Sequence, residues 1–121
     1  MKTIALIEDN PDNRLLVEAM LEEHYSVLQF EDGPSALEGL VSADIELILL
    51  DISLPEMDGI EVLRRLKEMP NMRDIPTIAL TAHAMSGDRE RFLSAGFDDY
   101  VSKPILDVDQ LIDQMQNLIK D

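Results

Sequence analysis

The sequence predicts an α/β protein in which helices cover both faces of a five-stranded, doubly wound parallel sheet. Five short apolar runs alternate along the chain with five stretches of helical periodicity. The third run, residues 45–50, is almost continuously apolar, which is typical of a central parallel strand buried on both faces. Strands that alternate with helices form parallel sheets, because each helix carries the chain back across the sheet to the next strand.

Polar residues bound the predicted strands. Acidic residues directly follow the first and third strands, whereas Thr81 and Lys103 follow the fourth and fifth. Short apolar runs with such boundaries are typical of buried strands. The predicted strands cover residues 3–7, 26–30, 45–50, 75–80 and 99–102.

Helix-capping residues precede the predicted helices. An oxygen acceptor at the N-cap can bond the free N–H groups of the first turn, and proline is tolerated there. The first helix is predicted to extend to about His24 with Leu15 and Leu16 on its apolar face, and the fourth to stop at Gly96. The predicted starting signals are Asn10-Pro11, Asp32-Gly33-Pro34, a capping box at Asp58 and Glu61, Ser86, and a second box at Asp107 and Gln110.

The length of 121 residues suits one domain, so we expect residues 1–121 to form a single unit with no output domain attached. Hydrophobic residues make up 45% of the chain, enough to bury a core. No apolar run approaches the ~20 residues of a membrane span, and the N-terminus does not resemble a signal peptide. We therefore expect a cytoplasmic protein that does not engage membranes. The absence of cysteine excludes disulfide and thiolate chemistry.

The chain is strongly acidic, with 25 acidic and 10 basic side chains and a net charge of -15. Such a surface repels the phosphates of nucleic acids and of anionic lipids, so we expect no direct binding to nucleic acid. The same charge favours the local accumulation of divalent cations. Because solubility alone would also explain the acidity, the charge does not by itself indicate a partner.

Three acidic residues follow predicted strands: Glu8 and Asp9 after the first, and Asp51 after the third. In doubly wound folds, sites form where the carboxyl ends of neighbouring strands meet. If the first and third strands are neighbours, the three carboxylates converge, and their repulsion favours a hard divalent cation such as Mg²⁺. An aspartate in such a site can be the nucleophile of phosphoryl transfer. The alternative is that Glu8 and Asp9 only end a strand and cap a helix.

Thr81 and Lys103 add a hydroxyl and an ammonium group at the same predicted edge of the sheet. Both groups can bind phosphoryl oxygens. Taken singly, each is more often a loop or surface residue. Their positions after the fourth and fifth strands nevertheless favour a phosphoryl-transfer site.

Four segments at these strand ends together resemble the response-regulator receiver family of two-component systems. The resemblance extends along essentially the whole chain and is closest to stand-alone cell-cycle regulators and to the receivers of hybrid kinases. It implies a flavodoxin-like fold with strand order 2-1-3-4-5. The segments that carry it are residues 7–10, 49–59, 78–82 and 96–104.

The resemblance implies a metal and phosphoacceptor site. Asp51 resembles the phosphoacceptor, and Glu8 and Asp9 resemble the metal-binding acids. Together with Asp51 and the backbone carbonyl of Ser53, these two acids would bind Mg²⁺, and Mn²⁺ could take its place.

The resemblance also implies a switch. Thr81 resembles the switch hydroxyl, Lys103 the phosphoryl-binding lysine, and Tyr100 the aromatic residue whose rotamer changes with Thr81. A role as an ordinary half-buried strand aromatic would explain Tyr100 equally well. The bond between Lys103 and Pro104 resembles the family's cis peptide, since X-Pro bonds tolerate the cis form.

The implied function is that of a phosphoprotein switch. A histidine kinase or a histidine phosphotransfer protein would dock beside the first helix and pass its phosphoryl group to Asp51. The face built from the fourth helix, the fifth strand and the last helix would then shift between two states, one of which a downstream effector reads. Such a protein is not an enzyme, apart from catalysing its own phosphorylation and dephosphorylation.

Other interpretations fit less well. A haloacid-dehalogenase-like phosphatase needs an acid two residues after its nucleophile, where this chain has Ser53. A flavodoxin-like electron carrier needs a phosphate-binding loop where Glu8 and Asp9 would repel phosphate. An interaction module that is never phosphorylated would not need the intact set of phosphoryl-transfer residues. His83 could be a ligand or a phosphohistidine, but a lone histidine is more often structural.

Overall fold

The computed structural model describes residues 1–82 and 87–119, and in this part of the chain strands and helices alternate as predicted. The strands are β1 (Thr3–Ile7), β2 (Ser26–Phe30), β3 (Leu47–Asp51), β4 (Thr77–Thr81) and β5 (Asp99–Ser102). The helices are α1 (Pro11–Leu21), α2 (Gly33–Gly39), α3 (Gly59–Lys67), α4 (Asp88–Ala95) and α5 (Val108–Leu118).

The strands form one parallel sheet in the order β2-β1-β3-β4-β5, which confirms the predicted fold class and strand order. The chain passes from β1 to β2 on one side and then crosses back to β3 on the other side of β1. The order of the strands therefore reverses between β1 and β3. Ile7 pairs with Leu50 in the register of these strands. The residues that follow, Glu8 and Asp51, therefore come level at the carboxyl edge.

Two apolar clusters pack on opposite faces of the sheet. Side chains alternate between the faces along a strand, so Ile4 and Leu6 of β1 belong to one cluster and Ala5 and Ile7 to the other. The first cluster includes residues of α1 and α5, and the second includes residues of α2, α3 and α4. Each fully buried aliphatic side chain contributes about 1.5–3 kcal/mol, so both layers hold the sheet in place.

Most of the predicted helix starts are confirmed. The side chains of four N-cap residues accept hydrogen bonds from first-turn amides, as the capping signals predicted. The capping box at Asp58 forms only in part, because the Glu61 carboxylate accepts hydrogen bonds from Arg64 and Arg65. The N-cap residues are Asn10, Asp32, Asp58 and Asp107.

Helix α1 differs from its prediction in length and in orientation. It ends at Leu21, three residues before His24, and it buries Val17 and Leu21 against the sheet. Leu15 and Leu16 are 67% and 46% exposed. Neighbouring helical residues point about 100° apart, so the stripe at positions 17 and 21 turns Leu15 and Leu16 away from the core.

Smaller differences occur at the strand starts and around α4. The third and fourth strands begin two residues later than predicted, at Leu47 and Thr77. Gly96 follows α4 with a φ of 111°, in agreement with the predicted left-handed end of this helix. The predicted capping residue Ser86 lies outside the described residues.

Among the helices described, none combines the length and the apolarity that crossing a membrane requires.

Candidate functional site

Acidic residues meet at the carboxyl edge of the sheet, between β1 and β3. One carboxylate oxygen from each of Glu8, Asp9 and Asp51 lies within 4.8 Å of the other two. Glu8 and Asp51 are buried, whereas Asp9 is exposed. A cluster of oxygen donors that is partly open to solvent suits a hard divalent cation that keeps some of its water ligands.

Lys103 joins this acidic cluster from the end of β5. Its ammonium nitrogen Nζ lies 3.0 Å from Glu8 Oε1 and 3.0 Å from Asp51 Oδ2. The amide of Lys103 donates a hydrogen bond of 2.7 Å to the carbonyl of Thr81, which ties the ends of β4 and β5 together. The peptide bond between Lys103 and Pro104 is cis, as the resemblance implied. The structure thus brings a cation against two of the three clustered carboxylates.

The contacts of the Asp51 carboxylate favour its ionised form. Its Oδ1 accepts a hydrogen bond of 2.9 Å from the Ser53 amide, and its Oδ2 accepts one from Lys103. Burial alone raises the pKa of this carboxyl, but the hydrogen bonds from Glu8, Ser53 and Lys103 outweigh burial and lower the pKa below its ordinary value. An ionised carboxylate is the form that can act as a nucleophile.

The surroundings of Glu8 favour the protonated form of its carboxyl group. Burial, followed by the hydrogen bond and the charge it shares with Asp51, raises the pKa of Glu8 to about 7, although Lys103 opposes this shift. Asn13 and the Asn10 amide also donate to the Glu8 carboxylate, at 3.4 Å and 3.3 Å. Glu8 therefore holds its proton more readily than Asp51 does.

Thr81 and Tyr100 share one face of the sheet. Tyr100 pairs with Ala79 in the register of β4 and β5, and Thr81 lies two residues further along β4 on the same face. Thr81 is buried, and Tyr100 is half-buried with its ring centroid 6.0 Å from that of Phe92 on α4. Tyr100 therefore lies on the face of the sheet that α4 covers, one side-chain position before Thr81.

A sequence model of the response regulator receiver domain matches residues 4–116. The chain belongs to this family. The match excludes the phosphatase and electron-carrier interpretations. His83, the alternative ligand or phosphohistidine, lies outside the described residues.

Relatives of this receiver domain include both parts of large kinases and small regulators. It is 41% identical over 104 residues to the signal transduction histidine-protein kinase BarA of Shigella flexneri, covering 85% of this chain but only 11% of the kinase. It is 38% identical over 121 residues to the polar-differentiation response regulator DivK of Brucella ovis, covering 99% of this chain and 98% of DivK.

Solved structures show the same fold. The receiver domain of a sensor histidine kinase from Pseudomonas aeruginosa, with a magnesium ion coordinated in its active site cleft, is 39% identical. The superposition has a TM-score of 0.87 and covers 97% of this chain and 96% of that one. The chemotaxis protein CheY4 of Vibrio cholerae, at 22% identity, has a TM-score of 0.90 and covers 98% of this chain and 99% of its own. At that identity, CheY4 supports the fold alone.

Two residues of this receiver domain that shape the site did not stand out in the sequence. Arg14 Nη1 donates hydrogen bonds to the carbonyls of Glu8 and Asp9, at 2.8 Å and 3.1 Å. Gly59 begins α3 directly against the end of β3, where a Cβ atom would lie only 2.4 Å from the carbonyl oxygen of Asp51. The signal for Gly59 was its place at the end of the segment 49–59, which carried the family resemblance but gave no role to this glycine.

Proposed function

We propose that this receiver domain is a phosphoacceptor switch in a two-component phosphorelay, with Asp51 as the residue that accepts the phosphoryl group. The observation that carries the proposal is the position of the Asp51 carboxylate. It lies 3.0 Å from the Lys103 ammonium and within the oxygen cluster of Glu8 and Asp9. Phosphoryl transfer depends chiefly on positioning and on charge stabilisation, which these groups can supply.

The carboxylates of Glu8, Asp9 and Asp51, together with the backbone carbonyl of Ser53, would hold Mg²⁺. The fit rests on the donor set, since these are oxygen ligands and their clustered charges need compensation. Mn²⁺ accepts the same ligands. A bound cation would offset the negative charge of the phosphoryl oxygens. The magnesium ion in the cleft of the Pseudomonas relative supports this assignment.

In the proposed reaction, an oxygen of Asp51 attacks the phosphorus of a phosphohistidine on a partner protein. A phosphorus–oxygen bond forms while the phosphorus–nitrogen bond breaks, and its electron pair stays on the imidazole nitrogen. Lys103 stabilises the charge on the transferred group, and the Thr81 hydroxyl donates to one of its oxygens. The lowered pKa of Asp51 supports its role, because the nucleophile is then ionised at neutral pH.

The proposed switch would use the face of the sheet that Thr81 and Tyr100 share. When Thr81 moves towards the phosphoryl group, it vacates space into which the Tyr100 ring can turn. Tyr100 contacts Phe92, so the turn biases α4, β5 and α5 between two states. A downstream effector that binds one of these states better would read the signal.

We propose that a histidine kinase or a histidine phosphotransfer protein docks beside α1 in the cytoplasm. Leu15 and Leu16 support this docking surface, because they expose two adjacent large apolar side chains on α1. The protein would act on no other substrate and would catalyse only its own phosphorylation and dephosphorylation.

Incubation with Mg²⁺ and a small phosphodonor, followed by intact mass spectrometry, tests the proposal. We expect the wild type to gain one phosphoryl group and Asp51→Asn to gain none. Asp113→Asn, which changes an exposed aspartate on α5, is the matched control and should gain the group normally. A wild type that gains nothing, or an Asp51→Asn variant that gains as much, would contradict the proposal.

A further inference from the structure

Arg14 reaches back from α1 over the loop that carries the acidic residues. Long helical side chains lean towards the N-terminus of their helix, so a residue in the first turns can contact the segment that precedes it. Arg14 Nη1 donates hydrogen bonds of 2.8 Å and 3.1 Å to the carbonyl oxygens of Glu8 and Asp9. One side chain therefore holds two consecutive carbonyl groups.

These carbonyls lie just beyond the sheet. Strand β1 ends at Ile7, and the Glu8 amide is held by the carbonyl of Phe30 at 3.0 Å. The Glu8 and Asp9 carbonyls belong to the peptide planes on either side of Asp9. A guanidinium that bonds both carbonyls fixes both planes, and with them the direction in which the Asp9 side chain leaves the backbone.

The two acids differ in how they are held. The Glu8 carboxylate is buried and accepts hydrogen bonds from Lys103 and Asn13. Asp9 is exposed, so few neighbouring side chains restrain its carboxylate. The orientation of its backbone then decides the direction in which this side chain points. Loss of the Arg14 contacts would leave Asp9 free to adopt orientations that do not face Glu8 and Asp51, and a cation would then have to order it.

We infer that Arg14 is a positioning residue of the metal site, an inference that rests on the proposed function. It holds the backbone of Glu8 and Asp9 so that both carboxylates face the cation before it binds. Its own positive charge acts in the opposite direction, because a guanidinium near the site repels a divalent cation. Positioning and charge therefore predict opposite effects when Arg14 is replaced by a neutral residue.

Titration with MgCl₂, followed by amide chemical shifts in NMR, measures the dissociation constant directly and does not depend on phosphorylation. We expect Arg14→Met to weaken binding roughly tenfold, the scale typical of groups that orient metal ligands. Arg14→Lys keeps the charge but loses the planar fork, and should give a smaller weakening. Arg65→Met removes the same charge from an exposed position on α3 and should leave the dissociation constant unchanged.

The outcomes separate this inference from the proposed function. Absence of saturable Mg²⁺ binding in the wild type would overturn both the metal site and the role of Arg14. If the wild type binds and Arg14→Met binds equally well or more tightly, the inference alone is wrong. Thermal melting without metal is measured in parallel. A lower melting temperature with an unchanged dissociation constant would show that Arg14 serves only stability, which also overturns the inference.

Discussion

The ammonium nitrogen of Lys103 lies 3.0 Å from Asp51 Oδ2, across 52 residues of sequence. The contact joins the end of β5 to the end of β3, although β4 separates the two strands in the sheet. The same nitrogen also contacts Glu8 at the end of β1. One lysine thus balances two buried carboxylates, and its replacement should affect both reactivity and stability.

We expect Lys103→Met to slow phosphorylation of Asp51 by a small phosphodonor on the order of a hundredfold. Removal of one group that stabilises developing charge typically costs this much. The rate is measured by intact mass against time. Lys67→Met is a suitable control, because Lys67 donates to the Arg73 carbonyl and has no contact with the acidic cluster. Equal rates for Lys103→Met and the wild type would contradict the role assigned to Lys103.

The pKa of Glu8 predicts how stability depends on pH. Folding raises this pKa from the ordinary value of 4.5 to about 7, so the native protein holds the proton more tightly than the unfolded chain does. The stabilisation is complete below the ordinary value and is lost as the pH rises through the native value. Urea unfolding of metal-free protein across this range should show it. Glu8→Gln should remove this part of the pH dependence, and an unchanged profile in that variant would contradict the assignment.

Binding of Mg²⁺ should depend on pH in the opposite sense. A cation needs the ionised carboxylate, so affinity should rise as Glu8 loses its proton near its pKa of about 7. For competition with a single proton, the dissociation constant should fall about tenfold between about pH 6 and about pH 8. Calorimetric titration at both values measures it. A dissociation constant that stays the same would show that Glu8 does not compete with the metal for a proton.

Gly59→Ala should destabilise the protein by about 1–3 kcal/mol, the usual cost of overpacking. The new Cβ atom would lie 2.4 Å from the Asp51 carbonyl oxygen and 2.7 Å from Ile52 Cα, and these backbone atoms cannot move without shifting the end of β3. Gly39→Ala is the matched comparison, since its nearest neighbour is the outer part of the Phe30 ring. Urea unfolding compares the two, and equal losses would argue against a special role for Gly59.

Leu15→Ser and Leu16→Ser should slow phosphotransfer from a phosphohistidine protein but not from a small phosphodonor. Both side chains are exposed on α1, so their replacement removes apolar docking area with little effect on the core. Leu93→Ser on α4 is the control, since Leu93 is also exposed and lies outside α1. Phosphotransfer is followed with a panel of kinases and phosphotransfer proteins. If the rates of phosphotransfer were the same in all three variants, the docking surface would lie elsewhere.

Sequence reasoning succeeded where one periodic signal decides the structure. Alternation of apolar runs with helical stretches predicted the sheet, and polar residues that directly follow strands predicted which side chains reach its carboxyl edge. The pairing of Ile7 with Leu50 then brings Glu8 level with Asp51. No additional sequence motif is needed for these two carboxylates to meet.

The features that were missed depend on distances that no periodicity encodes. The exposure of Leu15 and Leu16 depends on the rotation of α1 about its axis, which the buried pair Val17 and Leu21 sets. The contacts of Arg14 depend on where α1 begins relative to the end of β1. The role of Gly59 depends on how closely two backbone segments approach, which becomes visible only in three dimensions.

Chemical trapping of the phosphorylated residue tests the central proposal most directly. Borohydride reduces an acyl phosphate to an alcohol, so treatment of the protein after exposure to Mg²⁺ and a phosphodonor should convert Asp51 into homoserine. Peptide mass spectrometry then locates the change. We expect it at Asp51 and at no other carboxylate. Conversion at Glu8 or Asp9, or no conversion in protein that is fully folded, would contradict the assignment of Asp51 as the phosphoacceptor.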